Sequence, residues 1–142
     1  MLPPEERLEH LEGLIDELVA LNREIPAIVE GKRDVRALRR LGLEGEILMV
    51  NTGASRITFC DRLAGRYAEA ILLTDWDRTG GIIARDLRDN LKGRVRLERT
   101  LRKGLALYSE VSAVEELPGY LAGLERRIRG EAERTRAVSD EE

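Results

Sequence analysis

Residues 70–91 read AILLTDWDRTGGIIARDLRDNL. Ala70 to Thr74 is a short, mostly apolar run with strand character. The polar turn Asp75-Trp76-Asp77-Arg78-Thr79-Gly80-Gly81 follows, and Ile82, Ile83 and Leu87 then recur at helical spacing to about Leu91, all three expected inward. The same order occurs twice upstream. Ile25 to Val29 is an apolar run whose Pro26 suits the beginning of a strand, and Glu30 ends it. Asp34 is expected to cap the next helix, with Val35, Leu38 and Leu41 facing a core before Gly42 stops it. Glu46 to Val50 makes another strand running into Asn51-Thr52-Gly53, after which Ser55 caps a helix with Ile57, Phe59, Cys60, Leu63 and Ala64 as its apolar residues. Strand, short loop and helix in repetition predict an α/β fold, a parallel sheet covered on both faces.

Outward from this centre the patterning becomes helical. Pro3 and Pro4 can start a helix, and Leu8, Leu11, Ile15, Leu18 and Leu21 give residues 4–22 an apolar stripe between acids. Beyond Gly93, Val95 and Leu97 alternate as in a strand, whereas Leu97, Leu101, Leu105 and Tyr108 repeat as in a helix; a very short fourth strand followed by a helix satisfies both. Ser112 is expected to cap a further turn, and Pro118 to restart a helix striped by Leu121, Leu124 and Ile128. From Gly130 the chain is polar and expected to fray. The predicted organisation is an acidic amphipathic helix over 1–24, a core over 25–97, a helical extension over 98–130 and a polar acidic tail over 131–142.

The 142 residues are 42% hydrophobic and 36% charged, which suits one globular domain. No apolar run approaches the ~18 residues a membrane helix needs. The acidic opening is wrong for a secretory signal, so a cytoplasmic protein is expected. A single cysteine, Cys60, excludes an internal disulfide framework, and the sole histidine, His10, excludes a His-rich metal site. The net charge of −3 is unevenly distributed. Residues 1–24 sum to −5, while the window 78–103 holds nine basic residues against three acids and the window 32–40 holds five against Asp34. Such windows suit an anionic partner or a solvated helix face.

Glu30 directly follows the first strand, and Asp75 and Asp77 follow the third. All three acids therefore belong to the carboxyl ends of parallel strands, where open α/β sheets bind ligands. Residues two apart in an extended segment point the same way, so Asp75 and Asp77 can face one point while Trp76 turns away. Clustered carboxylates repel, and a hard divalent cation relieves that penalty. Gly31, Gly80 and Gly81 leave room for phosphate to approach backbone N–H groups, with Lys32, Arg33 and Arg78 beside them. Tight turns required by the fold explain the same glycines.

Two segments together resemble a known family. Ile28-Val29-Glu30-Gly31-Lys32-Arg33-Asp34-Val35 and Thr74-Asp75-Trp76-Asp77-Arg78-Thr79-Gly80 look like the two defining motifs of the Toprim domain, and Asn51-Thr52-Gly53 is similar to its glycine-bearing loop. That domain is shared by topoisomerases, bacterial-type primases, OLD-family nucleases, RecR recombination proteins and the ribosomal-RNA maturase RNase M5. As a whole chain the sequence resembles the small archaeal Toprim proteins. The resemblance implies a Rossmann-like, three-layer domain with about four parallel strands. It also implies that Glu30 acts as general acid or base and shares the metal, that Asp75 and Asp77 bind Mg²⁺ or Mn²⁺, and that Asp34 is a structural cap.

Tyr67, Tyr108 and Tyr120 each sit at helical positions explained by packing, so a topoisomerase's nucleophilic tyrosine is not evident. A primase's zinc module and RecR's cysteine cluster do not fit this sequence. The expected activity is Mg²⁺-dependent phosphodiester chemistry, foremost cleavage of RNA. The alternative is a non-hydrolytic nucleic-acid-binding accessory of a larger assembly. The expected partner is nucleic acid, RNA ahead of DNA, without a membrane and with room for protein partners or self-association.

Overall fold

The structure is a computed structural model that describes residues 2–141, with side chains described to residue 139. Its elements run α1 (Pro4–Asn22), β1 (Ala27–Val29), α2 (Lys32–Leu41), β2 (Ile47–Met49), α3 (Arg56–Arg66), β3 (Glu69–Leu72), α4 (Arg78–Leu91), β4 (Arg96–Glu98), α5 (Thr100–Tyr108), a 3₁₀ turn (Val114–Glu116) and α6 (Leu117–Glu141). All four strands are parallel, in the order β2-β1-β3-β4. Ala27 pairs with Ile47 on one side and Ile71 on the other, so β1 is an inner strand despite coming first in the chain.

Alternation along the strands separates two cores. Ala27, Val29, Ile71 and Leu73 point into one with apolar residues of α1, α2, α5 and α6, whereas Ile28, Ala70 and Leu72 point into the other with α3 and α4. The predicted three-layer α/β architecture with helices on both faces is therefore present. Asn22 locks α1 to the strand layer from a buried position. Its amide donates to the carbonyls of Ile25 and Glu46 and its oxygen accepts the Gly45 N–H, satisfying both ends of the side chain.

Several local expectations differ from the structure. Ile57 and Ile82 face solvent, at 63% and 56% exposure, because Phe59, Cys60 and Leu63 already fill the inner face of α3 and Ile83, Ala84 and Leu87 that of α4. Asp34 is the third residue of α2 rather than the residue before it, and caps by reaching back to the Gly31 N–H. Ser112 caps nothing: its carbonyl accepts the Trp76 N–H, and the 3₁₀ turn begins after Ala113. Pro118 is the second residue of α6, which continues past Gly130 to Glu141 instead of fraying, exposed along residues 131–139. Of the predicted acidic tail, Glu142 lies outside the described residues.

Candidate functional site

The strand order decides where the acids meet. From β1 the chain steps to β2 on one side and to β3 on the other, so the carboxyl ends of β1 and β3 flank the switch point of the sheet, where open α/β folds form a crevice. Glu30 stands at the tip of β1 and the Asp75-Trp76-Asp77 loop beyond the tip of β3. The two motifs are stitched together directly: Glu30 Oε2 accepts the Asp75 N–H at 2.7 Å across 45 residues of sequence. One strand step earlier, the Leu73 N–H donates to the Ile28 carbonyl at 2.9 Å.

Each acid has a structural duty. Asp34 Oδ2 accepts the Gly31 N–H at 3.0 Å, fixing the start of α2. Asp77 is the N-cap of α4, its Oδ1 accepting the Gly80 N–H at 2.7 Å. Asp75 Oδ1 accepts the Val114 N–H at 2.9 Å. The N–H groups of Gly80 and Gly81, read from sequence as free for phosphate, are instead taken by the Asp77 carboxylate and the Asp77 carbonyl. Gly80 is needed for another reason. A Cβ there would lie 1.9 Å from the Asp75 carbonyl oxygen, so only glycine lets α4 start this close to the loop. At Gly31 and Gly81 a Cβ would meet nothing within 4 Å. Lys32, Arg33 and Arg78 are exposed around the site, at the starts of α2 and α4.

Trp76 faces the segment before α6, its indole N–H donating to the Val111 carbonyl at 2.6 Å and its backbone N–H to the Ser112 carbonyl at 3.0 Å. This is the same segment that the Asp75 carboxylate meets at Val114, while the Asp77 carboxylate turns to the start of α4. The segment before α6 thus grips the loop at three points. Arg102 of α5 adds two more, its Nε donating to the Thr74 carbonyl at 2.7 Å and a terminal nitrogen to the Asp75 carbonyl at 2.6 Å. Sequence reasoning placed Arg102 within a basic window and missed this role. The available signal was its position on α5, one residue after Leu101 and three before Leu105, which puts its stem at the border of the buried face.

The electrostatics follow from this crowding. Burial pushes the Asp75 carboxyl up to about 7; the Val114 N–H opposes the rise, while the charges of Asp34, Glu30 and Asp77 add to it. Burial also lowers the Arg102 pKa from its usual value, against the opposing pull of Glu30, Asp75 and Asp77. Arg102 spends its donors on carbonyls, and among the described residues none of the four acids forms an ion pair.

The expected convergence on one point is met only in part, since among the described residues no three acidic, His or Cys side chains gather closely enough to enclose a metal ion. The donor chemistry nevertheless fits a hard divalent cation. The groups are carboxylate oxygens, they repel one another without a compensating ion pair, and Glu30, Asp75 and Asp77 each commit only one oxygen to the protein bonds described. An open arrangement of this kind suits Mg²⁺, which keeps several waters and completes its shell with substrate phosphate.

A three-layer, all-parallel α/β domain carrying a glutamate at the tip of one inner strand and an Asp-x-Asp loop at the tip of its neighbour is the class that the fold and site define. The chain belongs to the Toprim domain family, whose pattern matches residues 26–107. Relatives include a UPF0292 protein of Methanosarcina acetivorans, 36% identical over 83% of this chain and 84% of that protein. A UPF0292 protein of Methanocaldococcus jannaschii is 30% identical over 87% of this chain and 97% of its own length. A solved structure of an Aquifex aeolicus protein superposes with a TM-score of 0.65 and 27% identity, covering 73% of this chain and 94% of that one. The chain is thus similar to archaeal UPF0292 proteins matched over most of their length, and the Toprim domain suggests metal-dependent nucleic-acid processing as the class of activity. Among the described residues no helix is long and apolar enough to cross a membrane.

Proposed function

We propose that this protein cleaves phosphodiester bonds in nucleic acid, RNA foremost, with Mg²⁺ held by Asp75 and Asp77 and shared by Glu30. The observation that carries the reading is the meeting of Glu30 with the Asp75 amide at the β1/β3 switch point, which puts a proton-handling group beside two carboxylates that lack any ion-pair partner among the described residues. When bound, the metal supplies Lewis-acid stabilisation of charge on phosphate oxygens. Glu30 has its Oε2 committed to the Asp75 amide, which orients the side chain and leaves Oε1 to take or give the proton of the attacking or leaving oxygen. Arg78, exposed next to Asp77, helps neutralise the developing charge, and Lys32 and Arg33 hold flanking phosphates with the open Gly31 between site and helix.

The second reading, a non-hydrolytic nucleic-acid-binding accessory, is favoured by the structural duties of the acids: Asp77 caps α4, Asp75 holds Val114, and Glu30 holds Asp75. Single-turnover cleavage at saturating protein separates the two, using single- and double-stranded RNA and DNA with Mg²⁺ and with chelator. Glu30→Gln keeps the bond to the Asp75 amide but loses the proton acceptor, so cleavage should fall on the order of a hundredfold while binding persists. Wild-type activity in that variant removes Glu30 from the chemistry, and no metal-dependent cleavage by the wild type leaves the accessory reading.

A further inference from the structure

The structure divides the basic window of residues 78–103 into groups with different jobs. Arg102 turns inward to the Thr74 and Asp75 carbonyls, and Arg94 is paired with Asp61 at 2.9 Å. Of the seven others, Arg78, Arg85 and Arg88 are exposed on α4 and Lys92 is exposed just past its end, while Arg96, Arg99 and Lys103 follow further along the chain. At about 100° per residue, Arg78, Arg85 and Lys92 follow one another at seven-residue spacing along a single stripe, with Arg88 about 60° to its side. The stripe starts beside the Asp77 cap and ends at a groove lined by Arg88, Lys92 and Arg99, the last of these following the carboxyl end of β4.

Among the described residues none of Arg78, Arg85, Arg88, Lys92 and Arg99 forms an ion pair, although α4 also carries Asp86 and Asp89. Asp86 is taken by Arg56 at 3.0 Å, which leaves Asp89, also lining the groove, as the acid of α4 near the stripe. Ile82, 56% exposed on the same side, adds an apolar surface that a sugar face can cover.

We infer that the outer face of α4, continued by Arg99, is a track for the phosphodiester backbone that leads nucleic acid away from the acidic site. The inference rests on the reading of that site as one acting on nucleic acid, and supplies the path its substrate takes. Fourteen residues of α4 span about 21 Å, about six base-pair rises along the axis of a duplex. A rigid helix with cations spread along that length contacts successive phosphates without reading bases, so the track adds affinity and orientation rather than sequence preference.

The test is the salt dependence of binding, measured by fluorescence anisotropy with a fluorescein-labelled RNA duplex, its single strand and the DNA counterparts, alongside single-turnover cleavage. The variant Arg85→Gln/Arg88→Gln/Lys92→Gln/Arg99→Gln leaves Glu30, Asp75, Asp77 and Arg78 intact. Its plot of log affinity against log salt should be shallower than wild type by roughly 3–4, at about 0.9 per lost phosphate contact. The control Arg126→Gln/Arg127→Gln/Arg129→Gln/Arg134→Gln removes the same charge from exposed positions of α6 and should leave the slope unchanged. An unchanged slope in the α4 variant overturns the track, and so does an equal loss in the α6 control, which would reduce the effect to net charge. If wild type cleaves while the α4 variant keeps its slope, the track fails and the proposed function stands. If wild type binds none of the four probes, both fail.

Discussion

Gly80 and Gly81 are neighbours that the sequence presents as equivalent, and alanine substitution should separate them. A Cβ at Gly80 would sit 1.9 Å from the Asp75 carbonyl oxygen, 2.4 Å from its carbon and 2.8 Å from its Cα. All three atoms are backbone and cannot swing aside, so the loop must retreat by about 1.5 Å to reach ordinary contact. That displacement breaks the Asp77 cap on the Gly80 N–H, a charge-assisted bond of about 1.5–3 kcal/mol, and strains the buried Thr74 hydroxyl bond to the Gly80 carbonyl, about 1 kcal/mol. The expected loss for Gly80→Ala is roughly 2–4 kcal/mol, equivalent to about 6–12 °C in Tm for a chain of this size. Gly81→Ala meets nothing within 4 Å on an exposed face of the same helix, and should be neutral or stabilising by up to about 1 kcal/mol through the helix preference of alanine. Urea unfolding and thermal melts of both variants give the comparison. Equal stability of Gly80→Ala and wild type, or an equal loss in both variants, would refute the close approach of α4 to the Asp75 loop.

Three further outcomes follow from the site. Because the Asp75 carboxyl is raised from 3.8 to about 7, the fold favours its protonated form; that contribution is complete below the unfolded value and lost as pH rises through about 7. Melts in chelator should therefore show stability falling between about pH 4 and about pH 7, with Asp75→Asn flattening the profile and Mg²⁺ recovering stability above it; identical profiles for wild type and variant would exclude Asp75 as the source. Calorimetric titration with Mg²⁺ should show binding lost in Asp75→Asn/Asp77→Asn, in which the amide oxygens can still accept from Val114 and cap α4, so that unchanged affinity would remove the pair as ligands. Arg102→Ala should cost roughly 2–4 kcal/mol by orphaning the Thr74 and Asp75 carbonyls, with Arg102→Lys recovering about half, as read from urea midpoints; a loss under about 0.5 kcal/mol would show that the clamp is dispensable.

Much of this protein is visible in its residue order. Apolar spacing located the helices and the short strands, and the acids directly following Val29 and Thr74 marked Glu30, Asp75 and Asp77 as strand-end groups, because side-chain periodicity and chain direction are local properties. Which strand ends become neighbours is not local. The order β2-β1-β3-β4 depends on how α1, α2, α5 and α6 cover one face and α3 and α4 the other, and only that order brings Glu30 to the Asp75 amide. The grip of Arg102 and Val114 on the Asp75 loop left no motif, since Arg102 reaches backbone carbonyls and Val114 offers a backbone N–H, groups present at almost every residue. The same holds for Gly80 against Gly81 and for the outward turn of Ile82: the sequence names the residue, but the space around it is set by segments distant in the chain.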